Sequence, residues 1–293
     1  MSQPPYRLKF SRPPKSGTRY LSIATSRKPV RLEAGQSIPK MEAVQASRKI
    51  DVRELRHYCR VCGLADTGTL PLTYPHVLAA RAQLALLSSK AFPLRLLGLV
   101  HLRNEILQYS RIAVADKLGV RINVGGHRET DKGQEFDIVT RVIRGDELVW
   151  LETSTALARA ARPAGSRSTR SAEPELERML GDSVSWQAPE NAGRSYARVS
   201  GDFNPIHLFR TTARWFGFRQ PIAHGMWTLA RCLGELDIAR SDGRCSVTTK
   251  FGNPLYLPGW SVLSSSVDDA TMRYRLTDPE KRRVFLSGAI ERF

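Results

Sequence analysis

With 293 residues, 41% of them hydrophobic and 25% charged, the chain is ordinary globular material with room for two domains, which excludes a single small module. Lys and Arg number 45 against 28 Asp and Glu, and the formal net charge of +17 suits nucleic acid, an anionic membrane or a polyanionic small molecule without choosing among them. No stretch reaches the roughly 18 uninterrupted apolar residues of a membrane span, because Arg81, Lys90, Arg95 and Arg103 punctuate the greasiest region, and four cysteines suit a reducing, cytoplasmic setting better than a disulfide framework.

Residues 1–45 read as a basic tail. No acidic residue precedes Glu33, while Arg7, Lys9, Arg12, Lys15, Arg19, Arg27, Lys28 and Arg31 crowd the same stretch. The tail lacks the apolar core of a secretory signal, and Pro4-Pro5 and Pro13-Pro14 argue against a long amphipathic helix; a transit peptide stays an open alternative. Weak contact with anionic surfaces is the expected use of its charge. The following run Glu54 to Cys62 reads as a helix that Gly63 caps. Its Cys59 and Cys62 form a C-x-x-C, but no second pair completes a zinc site, so they read as two thiols on a packed helix face.

A longer helix is expected from Pro75 to Ser89, then strands at Leu99–Leu107, Gly119–Val124, Glu135–Ile143 and Glu147–Thr153, the last two joined by a turn at Arg144-Gly145-Asp146. These make a first unit over residues 46–160. A linker rich in Arg, Ser, Ala, Pro and Gly follows, assigned to residues 161–185. In the second unit, residues 186–293, Pro221 to Leu236 sets Met226, Leu229, Ala230, Leu233 and Leu236 at helical spacing, and strands are expected at Ser246–Phe251, Trp260–Val267, Met272–Thr277 and Arg283–Ile290. The halves resemble weak repeats: His76 matches His224, and Asn104 matches Asn253. A long apolar helix followed by an antiparallel meander is stable if the sheet curls round the helix, which predicts an α+β double hotdog whose two sheets meet edge to edge.

The segment Ser200-Gly201-Asp202-Phe203-Asn204-Pro205-Ile206-His207 carries the chemistry. Five residues separate Asp202 from His207, which a continuous helix would place on different faces; Gly201 and Asn204-Pro205 break that helix and let the two converge. A carboxylate and an imidazole sharing one water are the minimum equipment for moving protons at neutral pH. Asn204 would hold the bend or fix the water. The plain alternative is an Asx-type turn followed by a helix-start histidine. Downstream, Gly225 is expected in the first turn of the apolar helix, where its amide could bind an oxygen gaining negative charge; the plain alternatives are close packing for Gly225 and a backbone contact for His224.

These residues resemble the MaoC-like dehydratases, which include the (R)-specific enoyl-CoA hydratases: Ser200 to His207 carries the family's hydratase motif, and Pro221-Ile222-Ala223-His224-Gly225-Met226 resembles the segment that follows it. The resemblance implies a hotdog fold, an acyl-CoA thioester substrate and reversible hydration of a trans-2-enoyl-CoA to the (R)-3-hydroxyacyl-CoA. Asp202 and His207 would activate water, the Gly225 amide would polarise the thioester carbonyl, and Asn204 would support them. Which of Asp202 and His207 takes the proton first is open, since they would titrate as a coupled pair. Around His76 the motif is absent, with Val77 where the glycine would stand, so the first half is expected to be non-catalytic and to widen the acyl tunnel. No cofactor or metal is expected, nor specific nucleic-acid binding; a second copy of the chain is the expected assembly partner. Another thioester reaction, such as hydrolysis, and a polyanion-binding module are the competing readings. Lys250 and the arginines are candidates for gripping the CoA phosphates.

Overall fold

In the computed structural model, which describes residues 5–14, 17–159, 181, 183–238 and 243–293, the first half runs β1 (Tyr6–Phe10), α1 (Gly17–Ala24), β2 (Met41–Lys49), α2 (Val52–Cys62), α3 (Tyr74–Leu87), β3 (Val100–Gln108), β4 (Lys117–Thr130), β5 (Gly133–Arg144) and β6 (Glu147–Arg159). The second half runs β7 (Ser183–Ala188), α4 (Ala192–Ser200), a 3-10 turn at Pro205–His207, α5 (Arg210–Arg214), α6 (Gly225–Glu235), β8 (Cys245–Phe251), β9 (Gly259–Asp268), β10 (Thr271–Thr277) and β11 (Val284–Arg292). The described strands form one sheet in the order β1-β2-β4-β5-β6-β3-β8-β11-β10-β9-β7.

Each half buries one apolar helix. In α3, Leu78, Ala79, Ala82 and Leu86 are buried, and in α6, Met226, Leu229, Ala230 and Leu233. These side chains share one hydrophobic core with strand residues such as Val120, Ile122, Val247 and Leu276. The halves join where β3 pairs antiparallel with β8, from Arg103 opposite Lys250 to Gln108 opposite Cys245. Two strands that would otherwise end their sheets thus satisfy each other's backbone groups. This is the double hotdog that sequence pattern and resemblance imply.

Several expectations need correction. The first 45 residues are more than a tail: β1 pairs in parallel with β2, Tyr6 opposite Met41, and Met41 and Ala43 of β2 are buried in the core. The excess of basic residues masked an alternation in Tyr6, Leu8 and Phe10 that leaves Leu8 and Phe10 packed against that core. Most of the linker, residues 161–180 and 182, lies outside the described residues; its last part, 183–185, belongs to β7, which pairs with β9. The second apolar helix starts at Gly225 rather than Pro221, because Ile222 and Ala223 are extended and donate their amides to Ile206 and Leu255. Asn104 and Asn253 are not equivalent, since Asn104 is buried within β3 whereas Asn253 lies in an exposed turn after β8. Both α2 cysteines are buried free thiols.

The seam between the halves is a stability element. Ile106 of β3 is fully buried there, opposite Val247. Ile106→Ala should destabilise the fold by about 2–5 kcal/mol, as other large-to-small core changes do, measured by chemical denaturation; a loss under about 1 kcal/mol would show that the seam repacks.

Candidate active site

The candidate loop is bent by local hydrogen bonds. α4 ends at Gly201, whose φ of +78° is the left-handed conformation glycine adopts without steric penalty. The Asp202 N–H then donates to Ser200 Oγ at 3.2 Å, and the Asn204 N–H donates to Asp202 Oδ1 at 3.1 Å. Asn204 in turn caps the 3-10 turn, its Oδ1 accepting from the Ile206 N–H at 3.4 Å, while Pro205 fills the first position of that turn. The Asx turn weighed as the plain alternative is therefore present, and it is the device that folds His207 back toward Asp202. Gly193 of α4 makes the close approach possible: a Cβ there would lie 2.0 Å from the His207 carbonyl oxygen.

One carboxylate oxygen of Asp202 and one nitrogen each from His207 and His224 lie within 4.8 Å of one another. His207 donates its Nδ1–H to the Ile222 carbonyl at 2.7 Å, which leaves the Nε2 lone pair available. His224, immediately before α6, donates its Nε2–H to the Asp202 backbone carbonyl at 3.0 Å and stacks on His207 with ring centres 3.6 Å apart. The backbone contact considered for His224 is thus real, and it also pins the loop that carries Asp202. The same three residues could gather a cation, but these hydrogen bonds already commit one nitrogen of each histidine, including the His224 Nε2 nearest Asp202.

Burial and charge set the protonation states. The Asp202 side chain is 47% exposed, so desolvation raises its carboxyl pKa only weakly, and His224, His207, the Asn204 N–H and the Tyr20 hydroxyl hold the group below its usual range. Burial lowers His207 below the ordinary histidine value, opposed by Asp202 and by the bond to Ile222. Burial, reinforced by His207, takes His224 down to about 3. At neutral pH the site therefore holds an ionised carboxylate beside neutral imidazoles, able to bind one water and move a proton.

Gly225 is the first residue of α6, where its amide has no intrahelical acceptor. It is also tightly packed, since a Cβ would lie 2.9 Å from Phe251 Cε1. About two turns further along the helix, Ala230 and Leu233 line a cavity of about 110 Å³ with Leu64, Leu70 and Ile112 of the first half.

Tyr20 has no motif to announce it. Its hydroxyl accepts from the Phe203 N–H at 2.8 Å and donates toward the Gly201 carbonyl at 3.0 Å, with Asp202 Oδ1 at 3.4 Å. Burial and the charge of Asp202 push the phenol pKa up, which keeps it a donor. Its helix and the segment after it are tied down at the far end of α3, where Arg19 donates to Ser88 Oγ and Lys28 Nζ to the Ser89 carbonyl. A lone aromatic in a basic, proline-flanked stretch gives no sequence signal for such a contact.

Comparison with known proteins places these residues in a family context. The MaoC like domain matches residues 169–250, which span Asp202, Asn204, His207 and Gly225. The 3-hydroxyacyl-thioester dehydratase X of Mycobacterium tuberculosis is 31% identical over 258 residues, covering 86% of this chain and 90% of that protein. The crystal structure of HtdX of Mycobacterium tuberculosis matches with a TM-score of 0.75 at 29% identity, over 86% of this chain and all (100%) of that one. A further Mycobacterium tuberculosis protein described as a double hotdog fold has a TM-score of 0.51 at 13% identity, over 89% of this chain and 96% of its own, a likeness of fold alone.

Two outcomes check this geometry. NMR titration should find the His224 imidazole neutral down to about pH 3; protonation near the ordinary value of about 6.5 would contradict its burial. Tyr20→Phe removes three short-range polar contacts to the loop and should cost about 1 kcal/mol of stability, read as a lowered denaturation midpoint; an unchanged midpoint would show that α1 does not brace the loop.

Proposed function

The chain belongs to the MaoC-like dehydratase family, and from that premise we propose that it adds water reversibly to a trans-2-enoyl-CoA to give the (R)-3-hydroxyacyl-CoA, or runs the same reaction as a dehydration. The observation that carries this reading is the convergence of Asp202 and His207 within 4.8 Å on a loop that leads to the first turn of α6. A water held between Asp202 and His207 Nε2 loses a proton to one of them as its oxygen bonds to C3, and C2 receives a proton from the pair, so that the protons balance over the cycle. The negative charge that develops on the thioester oxygen meets the Gly225 N–H at the positive end of α6. Asn204 acts by holding the bend.

The acyl chain would run between the halves toward the cavity beside Ala230 and Leu233. Gly225 and Leu233 are eight residues apart, roughly 12 Å along a helix at about 1.5 Å per residue, which suits a medium-length chain. A thioesterase could use the same fold; the carboxylate–imidazole pair beside an amide donor favours water addition at C3. For a cytoplasmic location the support is that all four cysteines are buried thiols outside any disulfide.

Purified protein should deplete the enoyl absorbance of crotonyl-CoA. Asp202→Asn and His207→Gln should each cut turnover by about 10²-fold or more while circular dichroism stays native; full activity in either variant would refute the assignment. The acid limb of kcat/KM should fall below the ordinary histidine value of about 6.5, because His207 works neutral and burial lowers its pKa. Ala230→Leu should cut turnover of long-chain enoyl-CoAs and spare crotonyl-CoA; equal loss on both would place the chain elsewhere.

A further inference from the structure

The segment around α1 belongs by sequence to the first half, yet it touches the loop on which the reaction above depends. α1 and the residues after it are fixed to the end of α3, by the Arg19 guanidinium on Ser88 Oγ at 3.3 Å and by Lys28 Nζ on the Ser89 carbonyl at 2.6 Å. α1 carries Tyr20 to the second half, where its ring meets Phe203 edge-on with ring centres 5.9 Å apart. The hydroxyl accepts the Phe203 N–H at 2.8 Å. It also lies 3.0 Å from the Gly201 carbonyl oxygen and 3.4 Å from Asp202 Oδ1. Three consecutive residues of the bend thus converge on one phenol.

That contact makes the two oxygens of the Asp202 carboxylate unequal. Oδ1 accepts the Asn204 N–H at 3.1 Å and faces the Tyr20 hydroxyl. Oδ2 takes no hydrogen bond among the described residues: His224 Nε2 stands 3.7 Å from it and already donates to the Asp202 backbone carbonyl. The side chain is half-exposed, so water reaches it. A hydroxyl proton with a carbonyl and a carboxylate both in range is drawn to the ionised acceptor, because a charge-assisted hydrogen bond is roughly twice as strong as a neutral one. The phenol keeps that proton, since burial, and after it the charge of Asp202, raise its pKa.

We propose that Tyr20 is a positioning residue for the hydration reaction: its hydroxyl, with the Asn204 amide, holds Asp202 Oδ1 and leaves Oδ2 as the oxygen that faces the reacting water. This role presupposes the hydratase reading of the Asp202–His207 pair. A carboxylate held at one oxygen no longer exchanges its oxygens by rotation, so the proton it passes to or from water has one fixed address. Donors to the charged form also favour ionisation, and the Asn204 N–H and the Tyr20 hydroxyl are among the contacts that hold the Asp202 carboxyl low. The other titratable groups facing Asp202 are His207 in the 3-10 turn, His224 before α6, Tyr196 on α4, and His76 and His101 of the first half, with Glu152 paired to His76. Removing the phenol oxygen leaves all of them in place.

Tyr20→Phe keeps the ring on Phe203 and takes away only the hydroxyl. Turnover number for crotonyl-CoA should fall by about three- to tenfold, the worth of one hydrogen bond, while KM stays at the wild-type value. NMR of the Asp202 carboxyl carbon should show its titration displaced to higher pH, because a donor to the charged form has gone. The second variant carries 3-fluorotyrosine in place of Tyr20, which retains ring and hydroxyl and is the stronger donor. Its carboxyl titration should move to lower pH with turnover kept. A lowered denaturation midpoint with wild-type kcat and wild-type carboxyl titration overturns the proposal, since the phenol would then brace the fold alone. A fall in kcat with the carboxyl titration unmoved in both variants overturns it too. A wild-type protein that leaves crotonyl-CoA and longer enoyl-CoAs untouched overturns the hydratase reading instead, and the two titrations still judge whether Tyr20 holds Oδ1.

Discussion

The bend between Gly201 and His207 is the constraint on which the rest of the site depends. A left-handed glycine ends α4, the Asp202 carboxylate turns the chain by accepting from Asn204, and Asn204 caps the 3-10 turn that delivers His207. His207 is then held at its ring nitrogen by Ile222 and at its backbone by the gap that Gly193 leaves. Each of these contacts is local in sequence or spans one short loop. The geometry of the Asp202–His207 pair is thus largely built into the segment itself.

Around that segment the fold supplies what the loop cannot. The apolar helix α6 brings the Gly225 amide at its first position and a cavity further along its length. His224 ties the two pieces together, bonded to the Asp202 carbonyl and stacked on His207. From the other half come the floor of the cavity and, through the N-terminal α1, the Tyr20 hydroxyl on the same loop. The two hotdog units contribute asymmetrically to the candidate site: the second half carries the bend, and the first frames it.

Sequence revealed those parts whose signal is local. The helical spacing of α6, the existence of the long helix α3, the hairpin at Gly145 and the capped helix α2 all follow from local residue pattern and turn chemistry. The convergence of Asp202 and His207 was legible because Gly201 and Asn204-Pro205 forbid a continuous helix there. Contacts made at long range were hidden. Tyr20 meets Phe203 across 183 residues and His76 meets Glu152 across 76, and neither pairing leaves a pattern in one sequence. β1 and β2 were hidden for another reason: the density of basic residues suggested a solvated tail, although the alternate apolar positions reach the core. Asn104 and Asn253 share an offset but not a place in the sheet, so spacing alone overstated the repeat.

The most direct test is oxygen exchange. The protein is incubated with a 3-hydroxyacyl-CoA in ¹⁸O-labelled water, and the label is located by mass spectrometry. Reversible water addition at C3 predicts ¹⁸O in the 3-hydroxyl group with wild-type protein and none with Asp202→Asn. Label confined to the carboxylate of a released free acid, or no label at all, would contradict it.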